Sequence, residues 1–250
     1  MLIDEYKLMH SEEKTYWWYL ALQALIKRHV RQTLESYPNA VVLDAGCGTG
    51  RNLEILHEAF PSVRYSGVDI NPFAVQLSLE KGVADVQQAS VENLPFEDDR
   101  FDLLVSADVL YFENLDDRKT MSEFARVLKK GGALIMNLPA FNCLKGRHDL
   151  AVSGVRRYTK RDLRSLAAVS GFRIVTMTYW NMALFPFLMV WRPLSLILAG
   201  KGPKSIKSDI RRLPVFVNSL LTAIMKCELS LTKSLSLPFG SSLFVVARKA

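Results

Sequence analysis

The stretch Ala40-Val41-Val42-Leu43-Asp44-Ala45-Gly46-Cys47-Gly48-Thr49-Gly50-Arg51-Asn52 decides the fold of this chain. Apolar residues run unbroken up to Asp44, and glycine then stands at every second position, Gly46, Gly48 and Gly50. The pattern reads as a short buried strand, Val41 to Asp44, a glycine turn, and the start of a helix. Without a Cβ, glycine accepts positive φ and lets a ligand lie against bare backbone, while the helix that follows points free N–H groups at the same place. The next strand-like run, Val63 to Ile70, ends in Gly67-Val68-Asp69-Ile70. An acid at a strand tip roughly 20 residues after a glycine loop is where doubly wound sheets bind the two hydroxyls of a ribose. The expected ligand therefore carries a nucleoside. The Gly-x-Gly-x-Gly spacing differs from the Gly-x-Gly-x-x-Gly of a pyrophosphate loop, and no Lys-Ser or Lys-Thr follows to hold a triphosphate, which points away from NAD and ATP.

Further pieces follow in order: Leu94-Pro95-Phe96, then Phe101-Asp102-Leu103-Leu104-Val105-Ser106-Ala107-Asp108-Val109-Leu110, then Arg126-Val127-Leu128-Lys129-Lys130-Gly131-Gly132. With Asp44-Ala45-Gly46-Cys47-Gly48-Thr49-Gly50 and Gly67-Val68-Asp69-Ile70, this set resembles the class I S-adenosylmethionine-dependent methyltransferases over about residues 40–140. The resemblance implies an α/β, Rossmann-like, doubly wound seven-stranded sheet whose last two strands form an antiparallel edge. It implies S-adenosyl-L-methionine as cofactor, bound by Asp44, Gly46, Cys47, Gly48 and Asn52 of the first motif, Asp69 and Ile70 of the second, Ser90 and Val91 before Leu94, and Ala107 after the fourth strand. Relatives often carry an aspartate at the position of Ser90; a hydroxyl still accepts a bond from the adenine amino group, and the Val91 main-chain N–H donates to the ring.

Residues 4–36 read as helical, with an aromatic run Tyr16-Trp17-Trp18-Tyr19 and Leu22, Leu25 and Ile26 continuing an apolar face. In similar small-molecule methyltransferases a segment resembling Glu-x-x-His-Trp-Trp caps the cofactor and faces the acceptor; Tyr16 occupies the histidine position here. The connection from Leu138 to Thr159 is long enough to suspect function. Its Pro139-Ala140-Phe141, His148-Asp149 and Arg156-Arg157-Tyr158 resemble an acceptor-covering loop of the same subgroup. A histidine beside a carboxylate suits proton removal, so His148, Tyr16 and Tyr111 are the candidate catalytic residues, with no metal expected. Asp116 to Lys129 reads as a helix stopped by Gly131-Gly132, and Thr159-Lys160-Arg161-Asp162 as a capping box that opens a helix closed by Gly171.

The expected division is a helical cap over 1–36, a cofactor-binding core over 37–180, a helical insertion over 181–240 and a last core strand over 241–250. The insertion replaces what is usually a short turn. Met182 to Leu198 is nearly all apolar, but Pro186, Arg192 and Pro193 interrupt it, which argues against a membrane span. The insertion is read as an acceptor lid or a homodimer element, favouring a hydrophobic small molecule over protein or nucleic acid.

Composition sets the frame. A chain of 250 residues with 49% apolar content buries a full core. Residues 201–250 hold nine Lys/Arg against Asp209 and Glu228, which accounts for the whole net charge of +7. That excess fits a solvated face or a peripheral contact with anionic lipid, and no nucleic-acid signature accompanies it. Three scattered cysteines suggest neither a disulfide framework nor a zinc site, and acids at Asp4 and Glu5 do not suit a signal peptide, so a cytoplasmic location is expected. The reading is a methyltransferase acting on oxygen or nitrogen of a hydrophobic small molecule, of a secondary-metabolism kind. A nicotinamide-dependent oxidoreductase and a membrane-associated protein without catalysis are the alternatives.

Overall fold

The computed structural model describes residues 3–35, 37, 39–152, 154–198 and 213–250, with the side chains of residues 148, 151 and 196–198 outside that set. Its centre is a seven-stranded sheet built from β1 (Val41–Ala45), β2 (Arg64–Asp69), β3 (Asp85–Gln88), β4 (Phe101–Ala107), β5 (Leu128–Pro139), β6 (Phe172–Trp180) and β7 (Ser242–Lys249), in the order β3-β2-β1-β4-β5-β7-β6. β1 to β5 pair in parallel, and β7 inserts antiparallel between β5 and β6. The order reverses at β1 and β4, so the crevice at their carboxyl ends is where a ligand is expected to sit.

Alternation along the strands divides the core. Val42, Leu103, Val105, Ile135 and Phe244 pack on one face with α2 (Trp17–Leu34) and α3 (Arg51–Ala59); Leu43, Leu104, Leu134, Met136 and Val245 pack on the other with α5 (Asp117–Val127) and α7 (Lys160–Val169). The Thr159 hydroxyl and the Asp162 carboxylate form the expected reciprocal cap at the start of α7. Asn71 caps α4 (Pro72–Leu79), with Pro72 in the first turn.

Two local expectations are corrected. The helix expected over 4–36 is broken into α1 (Ile3–Glu12) and α2 by a turn at residues 13–16. The helix expected to end at Gly131-Gly132 stops at Val127, and β5 starts at once. Leu128 pairs with Phe101 and the register then jumps to Leu103 with Ala133, so Gly131, at φ +74°, serves a strand irregularity. Sheet pairing outweighed the local helix-stop signal.

Between β6 and β7 the chain forms α8 (Phe185–Leu198) and α9 (Val215–Leu231). Pro193 lies inside α8, so that helix continues through a residue expected to interrupt it. α9 packs along α2, where the Arg28 guanidinium donates to the Leu229 carbonyl and the Thr232 hydroxyl. Among the described residues no helix is long and apolar enough to cross a membrane.

Candidate cofactor and acceptor site

The turn after β1 is held from beneath by β2. Gly46 N–H and Cys47 N–H both donate to the Val68 carbonyl, at 2.8 and 2.9 Å. Gly46 and Gly50 lie at φ +80° and +79°, and a Cβ at Gly46 would meet Val109 at 2.3 Å. Only glycine fits there without strain or collision. Gly50 caps α3 without a side-chain bond, leaving that helix start open toward the crevice.

Asp69, at the end of β2, is buried and accepts from Gly48 N–H at 2.9 Å, Asn71 N–H at 2.9 Å and the Tyr6 hydroxyl at 3.1 Å. Burial still raises its pKa above the ordinary carboxylate value. Asp44 is fully buried, and neither of its oxygens has a hydrogen bond of ordinary geometry, the Asn52 side chain being the group that eases its charge. Burial, with the negative Asp69 nearby, pushes its pKa to about 7.

The N-terminal segment is fastened over this loop. Glu13, nearly inaccessible, contacts the Thr49 hydroxyl and pairs with Lys81 Nζ at 2.7 Å, while Lys81 also reaches Glu54 at 3.1 Å. Gln23 Nε2 donates to the Glu13 carbonyl at 2.7 Å, tying α2 to the same point.

Above the loop opens a cavity of about 660 Å³. Its end beside the glycine turn contains Gly46, Cys47, Gly48, Asn52, Asp69, Ile70, Ser90, Val91 and Ala107, so the residues expected from sequence to bind the cofactor line it except Asp44, which lies outside the lining near the end of β1. Tyr16 to Tyr19, Phe112, Leu184, Phe187, Leu188, Trp191, Leu213 and Leu221 also line it, so the aromatic run and both insertion helices contribute.

Of the candidate catalytic residues, Tyr16 and Tyr111 line the cavity, and the His148 side chain lies outside the described residues. Tyr111 is buried and stacks on Phe112 with ring centroids 4.5 Å apart; burial drives its pKa well above the ordinary phenol value. It therefore keeps its proton, which suits donating a hydrogen bond and not removing a proton from the acceptor. Asp149 is engaged by Arg157, whose Nε and Nη2 reach the two carboxylate oxygens at 2.9 and 3.0 Å. Arg157 also donates to the Ala140 carbonyl at 3.0 Å, and Gly146 N–H donates to Asp149 at 2.8 Å. This buried pair fixes the roof loop.

Sequence reasoning passed over Asp108. It stands just beyond β4 at φ +55°, lines the cavity, and accepts from Asn137 Nδ2 at 2.9 and 3.1 Å. Burial pushes its pKa to about 7. Asn137 Oδ1 in turn accepts from Trp180 Nε1 at 2.8 Å, and Trp18 stacks on Trp180 with centroids 5.7 Å apart. Its place directly after a parallel strand was the available signal.

A glycine loop, a buried strand-tip acid and a cavity at the switch point of this seven-stranded order define a Rossmann-like methyltransferase architecture. Residues 43–136 match the methyltransferase domain family. The matched stretch and the fold are similar to those of the class I S-adenosylmethionine-dependent methyltransferases, whose cofactor is S-adenosylmethionine.

Among curated proteins it is similar to a tRNA (carboxymethyluridine(34)-5-O)-methyltransferase of Arabidopsis thaliana, 34% identical over 108 residues, 42% of this chain and 26% of that protein. It is also similar to a sterol 4-C-methyltransferase of Caenorhabditis elegans, 36% identical over 116 residues, 43% of this chain and 34% of that protein. The matches thus span about a quarter to a third of those relatives' lengths. A putative sarcosine dimethylglycine methyltransferase from Galdieria sulphuraria shares the fold, with TM-score 0.61 and 17% identity over 93% of this chain and 86% of its own.

Proposed function

We propose that this chain transfers a methyl group from S-adenosylmethionine to an oxygen or nitrogen atom of a hydrophobic small molecule, with Asp108 as the proton acceptor. The observation that carries the proposal is the single cavity lined at one end by the glycine loop and Asp69 and elsewhere by aromatic and aliphatic side chains of α2, α8 and α9. A largely apolar wall with a few polar groups suits a small ligand. The sterol named for the nematode relative is of that kind, whereas the tRNA named for the plant relative is not.

The residues present fit the cofactor. Asp44 is a fully buried carboxylate eased only by the Asn52 side chain, a costly arrangement unless a cation comes near it. The cofactor supplies an ammonium and a methyl-bearing sulfonium. Asp69 accepts hydroxyls of the ribose; the turn from Gly46 to Gly50 lets the ligand approach bare backbone; Ser90 and Val91 meet the adenine. Asp108, held by Asn137, takes the acceptor's proton at a carboxylate oxygen. The apolar wall excludes water and holds the acceptor in line, which supplies most of the acceleration in a displacement that needs little covalent help.

Calorimetry with S-adenosylmethionine beside NADPH, followed by transfer of labelled methyl to a panel of hydrophobic phenols, acids and amines, tests this reading. The expected result is S-adenosylmethionine binding and label in an apolar small product. Binding of NADPH alone, or label incorporated only into RNA, overturns it.

A further inference from the structure

The two insertion helices cover the cavity, yet each also turns an apolar stripe outward. In α8 the stripe is Phe187, Val190, Trp191 and Leu194, at positions i, i+3, i+4 and i+7, with 61, 70, 46 and 41% exposure. In α9, Phe216 and Leu220 are 75 and 60% exposed, Ala223 and Cys227 continue the line, and Val215 beside Phe216 is 83% exposed. Neighbouring large apolar side chains left this exposed on two helices are unusual for surfaces that face only water.

Charge identifies its partner. On the described part of the insertion the exposed ionic groups beside these stripes include Lys226 and Lys233, and Glu228, the acid there, is buried and accepts from Ala183 N–H at 2.9 Å. Apolar stripes accompanied by cations and free of exposed acids match the headgroup boundary of an anionic bilayer, where aromatic and aliphatic side chains enter the acyl region and lysines meet phosphates. Over their described residues neither helix is long and apolar enough to cross a membrane.

We propose that α8 and α9 dock this protein on the surface of an anionic lipid bilayer. Phe187 and Trp191 belong both to the exposed stripe and to the cavity wall, so the docked face adjoins the cavity and an apolar acceptor passes between bilayer and cavity without crossing water. The docking does not depend on which atom is methylated.

The test is flotation of the full chain with vesicles of phosphatidylcholine alone and of phosphatidylcholine with phosphatidylglycerol. The expected result is at least tenfold stronger binding to the anionic vesicles, weakened by salt. A Val190→Glu/Phe216→Glu/Leu220→Glu variant, altered only at exposed positions outside the cavity, should lose at least tenfold of that binding while keeping its circular dichroism and S-adenosylmethionine affinity. Lys226→Glu/Lys233→Glu should lose the anionic preference.

Wild-type protein that stays with the soluble fraction, or binding that ignores lipid charge and all five substitutions, overturns the proposal. So does a dimer seen by light scattering that the triple variant dissolves without any vesicle binding, because the face then belongs to a second copy. Cofactor affinity, read on the same samples, separates failure of docking from failure of the methyltransferase reading.

Discussion

Replacing Arg157 by leucine removes three hydrogen bonds at once, two to Asp149 and one to the Ala140 carbonyl. Both partners of the ion pair are almost inaccessible, with side-chain exposures of 3 and 6%. Asp149 would keep the Gly146 N–H at 2.8 Å and the Arg192 guanidinium at 3.8 Å, which already serves the Leu144 carbonyl. Breaking a buried pair costs about 3–5 kcal/mol, because the remaining charge is left without compensation. At about 2–4 °C per kcal/mol for a chain of this size, the expected fall in Tm is roughly 6–20 °C. Burial would raise the Asp149 carboxyl, and Arg157 more than reverses this, holding it below the usual carboxylate range. In the wild type that group contributes stability present above the unfolded pKa of about 3.9 and lost as pH falls through the lower folded value. In Arg157→Leu the folded value rises instead, so the variant loses stability as pH climbs. Urea unfolding should therefore show the gap between the two proteins widening from pH 4 to pH 7. A difference under about 1 kcal/mol at pH 7, or one equal at both pH values, would refute the argument.

Asp69→Ala should weaken S-adenosylmethionine binding by about a hundredfold or more while circular dichroism stays native, since hydrogen bonds to a charged group are worth about 1.5–3 kcal/mol each; unchanged affinity in calorimetry dismisses the ribose assignment. With Asp108 as base and a carboxyl pKa of about 7, kcat/KM should rise with pH through that value and level off above it. Asp108→Asn should flatten the profile and lower kcat on the order of 10² or more. Trp180→Phe strips Asn137 Oδ1 of its buried donor and should cost about 1–3 kcal/mol in unfolding, with kcat reduced more than KM is raised. Because Asp44 titrates near 7 without ligand, cofactor binding at pH 7 should release protons, seen as a binding enthalpy that depends on the buffer. Asp44→Asn should reduce the number of protons released at pH 7.

The cofactor half of the site was legible in the sequence because each part is dictated locally. A turn that must hold positive φ leaves glycines, a strand tip leaves an acid, and both occur within consecutive strand and helix units. The acceptor half was not legible, because it is assembled from α2, β4, β5, β6 and the roof loop, segments far apart in the chain. Arg156 and Arg157 show the difficulty. As neighbours of one type they look alike in sequence, yet Arg157 is 6% exposed on Asp149 while Arg156 is only partly buried. His148-Asp149 suggested a catalytic pair by adjacency, but the carboxylate is claimed by an arginine eight residues on. Gly131-Gly132 carried a sound helix-stop signal that sheet pairing overrode.

Asp44, Asp69 and Asp108 were read as parts of three separate motifs, and only the sheet order shows what they share. β2, β1 and β4 are adjacent, so the three aspartates lie toward one carboxyl edge, with Asp44 deeper, level with Gly67 and Val105. Each has a raised pKa, with burial as the leading cause. Three desolvated carboxyls along one edge cost stability that an apolar edge would not. Such a cost is tolerable where a ligand brings positive charge and exchangeable hydroxyls to that edge, as a sulfonium nucleoside does. The electrostatics of that edge therefore point to the same ligand as the glycine turn, from an independent physical premise.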